Sequence, residues 1–354
     1  MRKRILTCIA ACFYYSGLVK LARLAARYSG PRLIILNYHR ATGGDLRRQL
    51  LYLRRHYRIL PLEQALEELF TDVKGGQHQP RDQRIPLVLT FDDGYRDNYT
   101  HGLALARELQ IPITIFLIPG YIESENAFWW LESGRLVRLA TVDEVILEDR
   151  TYHLGREQER KSLAQVIDGR LRYATSVAER DAFLAIARKL LGVSSTATPE
   201  EKPSLSLTWA EVREMQESGY VSFGAHTMDH PLLAYLTDPN EIEYQISTCR
   251  RVLEQQMGRP VRAFAYPVGQ LQHIGDTIQH AVQRAGYDWA LTTLYGANTP
   301  KSNPYLLRRI EADVSQHWLV VAAEAAGLWG FFSRLRWNPR IRKSLTNAGQ
   351  IRGL

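Results

Sequence analysis

Cysteine is nearly absent from this sequence: three occur among 354 residues, Cys8, Cys12 and Cys249. Three cysteines cannot form a disulfide framework, and their spacing matches no metal-binding pattern. We therefore interpret them as small buried hydrophobic residues. The sequence also contains no internal repeat and no long low-complexity segment.

Acidic residues are scarce at both ends of the chain, which carries a formal net charge of +8. The first 60 residues contain many arginines and few acids, and residues 334–352 contain no acid at all. Basic ends favour contact with anionic lipid headgroups or an acidic polymer, with a solvated surface as the alternative. Nucleic acid is not expected as a partner, because the basic segments lack a nucleic-acid-binding signature.

The N-terminal apolar stretch is too short to span a membrane. Residues 2–4 are basic and precede an apolar stretch from Ile5 to Val19, about 15 residues against the roughly 20 that a spanning helix needs. No small-residue cleavage site of a signal peptide precedes Pro31. The pattern predicts an amphipathic, membrane-associated helix within residues 1–30 and a peripheral membrane location. A short signal anchor is the alternative.

Short apolar runs alternate with helical patterns along most of the remaining chain, which favours parallel β–α units. With 45% hydrophobic residues the chain can bury a full core. Strands are predicted at 33–36, 87–91, 113–117, 221–224, 263–266, 290–293 and 306–310. Seven such units indicate an α/β fold with a barrel or incomplete barrel, in which chemistry is found at the carboxyl ends of the strands.

Residues 121–205 interrupt this alternation, and we predict a helical insertion there. The predicted organisation is an N-terminal helix in 1–30, a catalytic barrel over 31–318 that contains the insertion, and a basic extension over 319–354. Trp129 and Trp130 in the insertion could stack on a sugar ring, but packing against the barrel is the favoured interpretation.

Two adjacent carboxylates, Asp92 and Asp93, end the apolar run at 87–91. Two anions at the end of a buried strand repel each other unless a cation or a proton separates them. Gly94 then permits a sharp turn of the backbone. A solvated turn is the alternative for these residues taken alone.

His226 and His230 are four residues apart, a spacing that would put both imidazoles on one face of a helical turn, within reach of one ion. They follow the predicted strand at 221–224 and so belong to the same edge of the sheet as the aspartates. Two histidines and a carboxylate suit a divalent metal, Zn²⁺ above all, with open positions for water and substrate.

One of the two aspartates would join the histidines on the metal, and the other would take a proton from water. A nearby guanidinium would keep that base ionised and oriented. Arg262, at the start of a predicted strand, is the candidate, and an ordinary strand-entry charge is the alternative.

Three motifs resemble the first three signature motifs of the polysaccharide deacetylases, carbohydrate esterase family 4, in the order in which that family carries them. They are Thr90-Phe91-Asp92-Asp93-Gly94, His226-Thr227-Met228-Asp229-His230-Pro231 and Arg262-Ala263-Phe264-Ala265-Tyr266-Pro267-Val268-Gly269. The resemblance extends from about residue 33 to about residue 314. It implies a distorted (β/α) barrel, usually of seven strands, in agreement with the strands predicted above.

The resemblance also implies a role for each matching residue. Asp92 matches the general base; Asp93, His226 and His230 match the metal ligands; Arg262 matches the residue that tunes the base; the backbone N–H of Tyr266 matches the oxyanion donor; and Asp288 resembles the weaker fourth motif.

The chain departs from the family at the general acid. Many members supply it from a histidine in a late Leu-x-His motif, but the corresponding residues 306–310 contain none. His39 follows Tyr38 at the end of the first predicted strand, which resembles a subgroup with an N-terminal Tyr-His pair. We therefore predict that His39 is the general acid; a structural histidine is the alternative.

These features together predict a metal-dependent hydrolase that removes N-acetyl groups from amino-sugar units of a polysaccharide or glycolipid. An esterase acting on O-acetyl groups and a catalytically degenerate carbohydrate-binding protein are the alternatives. A glycosidase is not expected, because its carboxylates flank the scissile bond at least about 5 Å apart and these two are adjacent.

Overall fold

The computed structural model describes residues 2–71, 82–124, 126–198, 201 and 205–328. Its α-helices are α1 (Arg2–Tyr15), α2 (Leu18–Tyr28), α3 (Leu46–His56), α4 (Leu62–Thr71), α5 (Ala104–Leu109), α6 (Trp129–Leu139), α7 (Glu157–Arg172), α8 (Val177–Leu191), α9 (Trp209–Glu217), α10 (Pro239–Glu243), α11 (Cys249–Met257), α12 (Gly275–Arg284) and α13 (Trp318–Ala325). Its strands are β1 (Ile34–Tyr38), β2 (Arg58–Ile59), β3 (Pro86–Phe91), β4 (Ile113–Leu117), β5 (Glu144–Leu147), β6 (Arg150–His153), β7 (Val221–Ala225), β8 (Ala263–Ala265), β9 (Trp289–Leu291) and β10 (Ile310–Glu311).

A parallel sheet organises the chain, with the strand order β10-β1-β3-β4-β7-β8-β9 and the short β2 added beside β3. In β1, Leu36 is aligned with Leu89 of β3 on one side and with Ile310 of β10 on the other. The sheet curls into a half-barrel surrounded by helices, so the predicted α/β barrel fold with seven main strands in the described residues is confirmed.

Alternate residues of the strands belong to two different hydrophobic clusters. Ile35, Val88 and Phe116 share one cluster with residues of α4, whereas Ile34 and Leu36 belong to the larger cluster that includes the surrounding helices. Strands buried on both faces need nearly continuous apolar sequence, which is why the runs at 33–36 and 87–91 were recognisable.

The seventh strand is shorter and later than predicted, since β10 covers Ile310–Glu311 instead of residues 306–310. The preceding residues bond to the chain that follows β9. Thr292 donates its backbone N–H to Leu307 O at 2.8 Å, and Arg309 donates its own to Leu294 O at 2.9 Å. Arg308, whose main chain would face β1 in a longer β10, instead donates its N–H to Asn298 Oδ1 at 2.9 Å, and its carbonyl oxygen accepts from Asn298 Nδ2 at 2.9 Å.

The insertion contains helices α6, α7 and α8 as predicted, and also a hairpin of β5 and β6 that was not predicted. The two turn residues, Glu148 and Asp149, both adopt left-handed backbone angles, with φ of 51° and 59°. Such turns usually carry Asn or Gly, so this one lacks its usual signal in the sequence. Trp129, Leu163 and Ile167 centre a separate hydrophobic cluster within the insertion.

The N-terminal segment forms two helices where one was predicted. Gly17, with φ of 84°, separates α1 from α2, and the helices meet at 68°. No single described helix is long and apolar enough to cross a membrane, although the bent pair meets that criterion when its two parts are combined. Residues 329–354, most of the predicted basic extension, lie outside the described residues.

The interpretation of the cysteines is correct for Cys249, which is buried, and wrong for Cys8 and Cys12, which are exposed. These two lie on α1, whose inner face is occupied by Ala10. A small hydrophobic residue on an amphipathic helix can face either way, and its type alone does not distinguish the two sides.

Candidate active site

A cavity of about 390 Å³ opens at the carboxyl ends of the strands. Five of the predicted catalytic and metal-binding residues line it: His39, Asp92, Asp93, His226 and His230. They come from the ends of β1, β3 and β7, three strands whose carboxyl ends meet at one edge of the sheet. The tertiary structure therefore brings together residues that are up to 191 positions apart in the sequence.

Asp93 and the two histidines form a compact buried cluster. Asp93 Oδ1 lies 3.4 Å from His226 Nε2 and 3.6 Å from His230 Nε2. Asp93 is 4% exposed and has a left-handed backbone with φ of 72°. Strained backbone of this kind in a non-glycine residue is concentrated at functional sites.

The ring of His226 is oriented by the main chain. Its Nδ1 lies 2.7 Å from Ala265 O, and a carbonyl oxygen can bond this nitrogen only if the nitrogen carries the hydrogen. The Nε2 lone pair consequently points toward Asp93. Metal-binding histidines usually have this tautomer and a hydrogen bond of this kind from the other ring nitrogen.

The histidine pair converges through a loop, and the predicted helical turn is wrong. Residues 226–232 follow β7 without helical structure, and both Thr227 and His230 have positive φ, 65° and 55°. His230 N donates to Thr227 Oγ1 at 2.9 Å, which closes the turn and brings the two ring centroids to 4.8 Å. The spacing of four residues correctly predicted that the two imidazoles lie close together, but a loop and not a helical turn brings them there.

The cluster fits a divalent metal. Two ligands about 2.1 Å from a tetrahedral Zn²⁺ are about 3.4 Å apart, which matches the two separations between Asp93 and the histidines. Asp93 Oδ1 is buried with no hydrogen-bond partner among the described residues, as expected for an atom reserved for a cation. Asp93, His226 and His230 can thus hold a metal ion.

Electrostatics inside the cluster keep two of the ligands, His230 and Asp93, in the protonation state that binds a metal. Burial, followed by the neighbouring His226, lowers the pKa of His230 to about 3. His230 is therefore neutral at pH 7, the state in which imidazole coordinates metals. Burial raises the pKa of Asp93, but the adjacent His226, together with His39 and His230, outweighs that effect, so the pKa of Asp93 lies below its ordinary value.

Asp92 is bound by a buried arginine that the sequence analysis did not identify. Arg309 donates from Nη1 to Asp92 Oδ1 at 2.7 Å and from Nη2 to Oδ2 at 2.8 Å. Both residues are at most 2% exposed. Burial raises the pKa of Asp92, but Arg309 and the histidines overcome this and hold the pKa well below its usual range.

Arg309 is itself fixed in place by polar partners. Its Nε donates to Thr292 O at 2.8 Å, and its Nη1 also donates to Asn37 Oδ1 at 2.9 Å. A planar guanidinium with this many partners holds the Asp92 carboxylate in one orientation. Arg309 lies within the seventh predicted strand, residues 306–310, where a charged side chain among apolar residues is a sign of a buried polar partner.

The prediction that Arg262 orients the base is wrong. Arg262 pairs with Glu63, Glu67 and Asp288 and stacks 4.5 Å from the ring of Trp289. It precedes β8, and Asp288 precedes β9, so both lie at the amino ends of the strands. The candidate site is at the opposite edge, and neither residue lines its cavity.

The backbone N–H of Tyr266 is also not available as an oxyanion donor, because it donates to Leu291 O at 3.0 Å within the sheet. The first residue after it with a free amide is Val268, which does line the cavity. Val268 N–H donates to no described residue, and the backbone φ of 61° is rare for a β-branched side chain.

His39 lies immediately after β1 and lines the cavity. Its backbone O accepts a hydrogen bond from Asn98 Nδ2 at 3.0 Å, while its exposed ring makes none to the described residues. The interpretation as a structural histidine held to a loop by its ring therefore has no support in the described part of the chain.

The two tryptophans of the insertion differ in role. Trp129 is 1% exposed and donates from Nε1 to His230 O at 3.0 Å, so it packs the insertion against the ligand loop. Trp130 is partly exposed, stacks on Phe128 and places its ring 4.3 Å from that of His230. Trp130 forms an aromatic wall of the cavity beside the metal cluster.

The sequence matches the family model of polysaccharide deacetylases over residues 79–290, more than half of the chain. The chain belongs to the polysaccharide deacetylase family. It is 28% identical over 104 residues to YxkH of Bacillus subtilis (strain 168), which is named as a polysaccharide deacetylase. That match covers 29% of this chain and 36% of YxkH, so the chain spans about a third of this curated relative.

Solved structures of other proteins share the fold of this deacetylase-family chain. The Streptococcus pyogenes deacetylase PplD in complex with acetate has a TM-score of 0.52 at 16% identity, covering 84% of this chain and 99% of PplD. A de-N-acetylase from Aggregatibacter actinomycetemcomitans has a TM-score of 0.51 at 13% identity, covering 83% of this chain and 99% of that one. Both agree with the curled parallel sheet described above.

Proposed function

We propose that this polysaccharide deacetylase family protein is a metal-dependent hydrolase that removes N-acetyl groups from amino-sugar units of a polysaccharide or glycolipid. One observation carries the proposal: a buried carboxylate and two histidines converge as metal ligands, while the adjacent Asp92 is held off that cluster by Arg309. The neighbouring aspartates therefore have separate roles.

Asp93, His226 and His230 would hold the metal, and their mixture of imidazole and carboxylate suits Zn²⁺. When bound, such an ion supplies Lewis acidity, which polarises a carbonyl oxygen and makes a water molecule more acidic. The remaining steps belong to side chains and amides of this protein.

Asp92 is the proposed general base. It is kept ionised by Arg309, and it lines the same cavity as the ligand cluster, so it can accept a proton from the attacking water. The free N–H of Val268 is the proposed donor to the oxygen that becomes negative as the carbonyl is attacked. It replaces Tyr266 in this role.

His39 is the proposed general acid, supplied from an N-terminal Tyr-His pair. An amine leaves as a neutral group only if its nitrogen is protonated as the C–N bond breaks, whereas an alkoxide leaves more readily. An exposed imidazole at the mouth of the cavity, free of ring hydrogen bonds to the described residues, can deliver that proton. A general acid at the position of His39 therefore favours amide cleavage over ester cleavage.

A sugar substrate is supported by Trp130, whose ring forms one wall of the cavity. The apolar face of a pyranose packs well on such an aromatic surface. The names of the fold relatives, a deacetylase and a de-N-acetylase, point the same way.

Acetate release from a panel of acetylated glycans tests the proposal. The metal-replete protein should release acetate from N-acetylated chitooligosaccharides faster than from O-acetylated xylan. A chelator should abolish release, and added Zn²⁺ should restore it. Release confined to xylan would favour an O-acetyl esterase. Sugar binding without any acetate would identify a degenerate binding protein.

Replacing His39 by glutamine should lower turnover on the amide substrate by about 10²–10³-fold and affect an acetyl ester with a good leaving group much less. Metal content should not change, because His39 is outside the ligand cluster. Replacing the exposed His101 by glutamine is the matched control and should leave both rates unchanged. Equal loss on amide and ester, or near-normal turnover on the amide, would remove His39 from the role of acid.

A further inference from the structure

The two N-terminal helices turn a large apolar surface outward. Seven of the sixteen large apolar side chains that are exposed in the described residues lie within them: Ile5, Ile9, Tyr15, Leu18, Leu21, Leu24 and Tyr28. The exposed Cys8 and Cys12 complete the stripe on α1. We call this set the outer face of α1–α2. An exposed apolar patch of this kind marks an interaction surface.

The outer face is held in a fixed orientation by the inner face of the same helices. Ala10 and Val19 are buried in the main hydrophobic cluster, and Tyr14 packs edge-on against Trp318 of α13 at 5.0 Å. Arg23 Nη1 donates to Tyr52 Oη at 3.2 Å from α2 to α3. Both helices thus pack on the fold through their inner faces, and none of the seven outer-face residues belongs to the main hydrophobic cluster.

The charged residues of the N-terminal segment itself all have one sign. The first 44 residues contain eight lysines and arginines and no aspartate or glutamate. Lys20 and Arg27 are exposed on α2 next to Leu21 and Leu24, and Lys20 makes no hydrogen bond or ion pair with a described residue. An apolar stripe bordered by cations is complementary to a surface that is apolar within and anionic outside.

We propose that the outer face of α1–α2 docks on an anionic lipid membrane, with both helices lying in the interface. A second copy of the chain is a poorer occupant, because a symmetric contact would bring two basic clusters together. The C-terminal residues 334–352 are poorer for the same reason, since they are basic and contain no acid. Lipid phosphates supply the negative charge that both of these lack.

Co-flotation of the full chain with vesicles tests this proposal. The protein should float with vesicles of phosphatidylglycerol and phosphatidylcholine, and much less with phosphatidylcholine alone. Point variants are preferable to truncation, because removing residues 1–30 would uncover the core around Ala10 and Val19. Leu18 and Leu21, which are 44% and 60% exposed, can be replaced without opening the core.

The double variant Leu18→Gln/Leu21→Gln should lose about tenfold or more of the vesicle affinity, because in the wild type both leucine side chains are transferred from water to the membrane on binding. Lys20→Gln should lose about fivefold, and only on anionic vesicles. The matched control is Ile186→Gln/Leu190→Gln on α8, which removes side chains of similar exposure from the insertion and should change nothing. All variants should still release acetate from a soluble oligosaccharide at the wild-type rate.

Three results would overturn the proposal. The chain could fail to float with anionic vesicles, it could float equally with neutral ones, or the leucine variant could float like the control. A concentration-dependent dimer that the leucine variant abolishes, without vesicle binding, would assign the outer face to a second copy. None of these results bears on the hydrolase proposal, because acetate release is measured on a soluble substrate.

Discussion

Replacing Asp93 by alanine is expected to remove stoichiometric metal and to lower acetate release by at least about a thousandfold. The variant leaves two histidines without the carboxylate that balances the charge of a divalent cation, and Lewis-acid assistance is worth several kcal/mol. Metal content measured on protein dialysed against a metal buffer, together with turnover, checks this. His226→Ala should behave in the same way, because its Nε2 is the second atom of the cluster.

Asp229→Asn is the matched control for Asp93. Asp229 lies in the same histidine motif and is partly buried, but its Oδ2 accepts from Gln245 Nε2 at 2.7 Å and it is not in the ligand cluster. This variant should keep its metal. Full metal occupancy in the Asp93 variant, or equal loss in both variants, would refute the assigned ligand set.

Replacing Arg309 by glutamine should lower kcat/KM at pH 7 by about a hundredfold or more and destabilise the fold by roughly 3–5 kcal/mol. The reason is that a buried carboxylate, Asp92, would lose its bidentate partner. Arg309→Lys keeps the charge but cannot form two parallel hydrogen bonds, so it should fall between the glutamine variant and the wild type. Arg262→Gln is the control and should change turnover little, since Arg262 bonds at the far edge of the sheet.

The pH dependence distinguishes this role of Arg309 from a purely structural one. In the wild type, Arg309 holds the pKa of Asp92 low, so the base is ionised throughout the neutral range, and the stability it contributes is lost only as the pH falls toward that low pKa. Without Arg309, burial would raise the pKa of Asp92. The acidic limb of the kcat/KM profile should then move to higher pH.

In the Arg309→Gln protein the stability should also fall as the pH rises above the ordinary aspartate range, the reverse of the wild type, because the folded state would then hold a proton that the unfolded state has released. Chemical denaturation at several pH values measures this. An Arg309 variant with an unshifted profile and normal turnover would show that Asp92 needs no cationic partner. A large loss in the Arg262 variant would restore the original prediction.

Much of the site could be read from the sequence because it lies in short local patterns. Asp92 and Asp93 end an apolar run that forms β3, and His226 and His230 follow another that forms β7. Since parallel strands present their carboxyl ends at one edge, four residues from two distant segments could be placed in one cavity without coordinates. His39 followed from the same rule, applied to β1.

The errors concern contacts that depend on which end of a strand a residue occupies and which main-chain group is already bonded. Arg262 belonged to a recognisable motif but stands at the amino end of β8, so its guanidinium cannot reach Asp92. The amide of Tyr266 is bonded to Leu291 within the sheet. The hairpin of β5 and β6 turns at Glu148 and Asp149 and lacks the Asn or Gly by which such a turn is usually predicted.

The sequence alone determined the strand pattern, the ligand set that a metal would need and the basic, apolar character of the N-terminus, because each depends on residue type and near-neighbour spacing. The tertiary structure decided that Arg309 binds Asp92 across 217 positions, that Val268 holds a free amide, and that Leu18 and Leu21 face outward. These three features depend on packing between distant segments. A buried charge is stable only with a hydrogen-bonded partner, and the folded chain decides which residue lies close enough to be that partner.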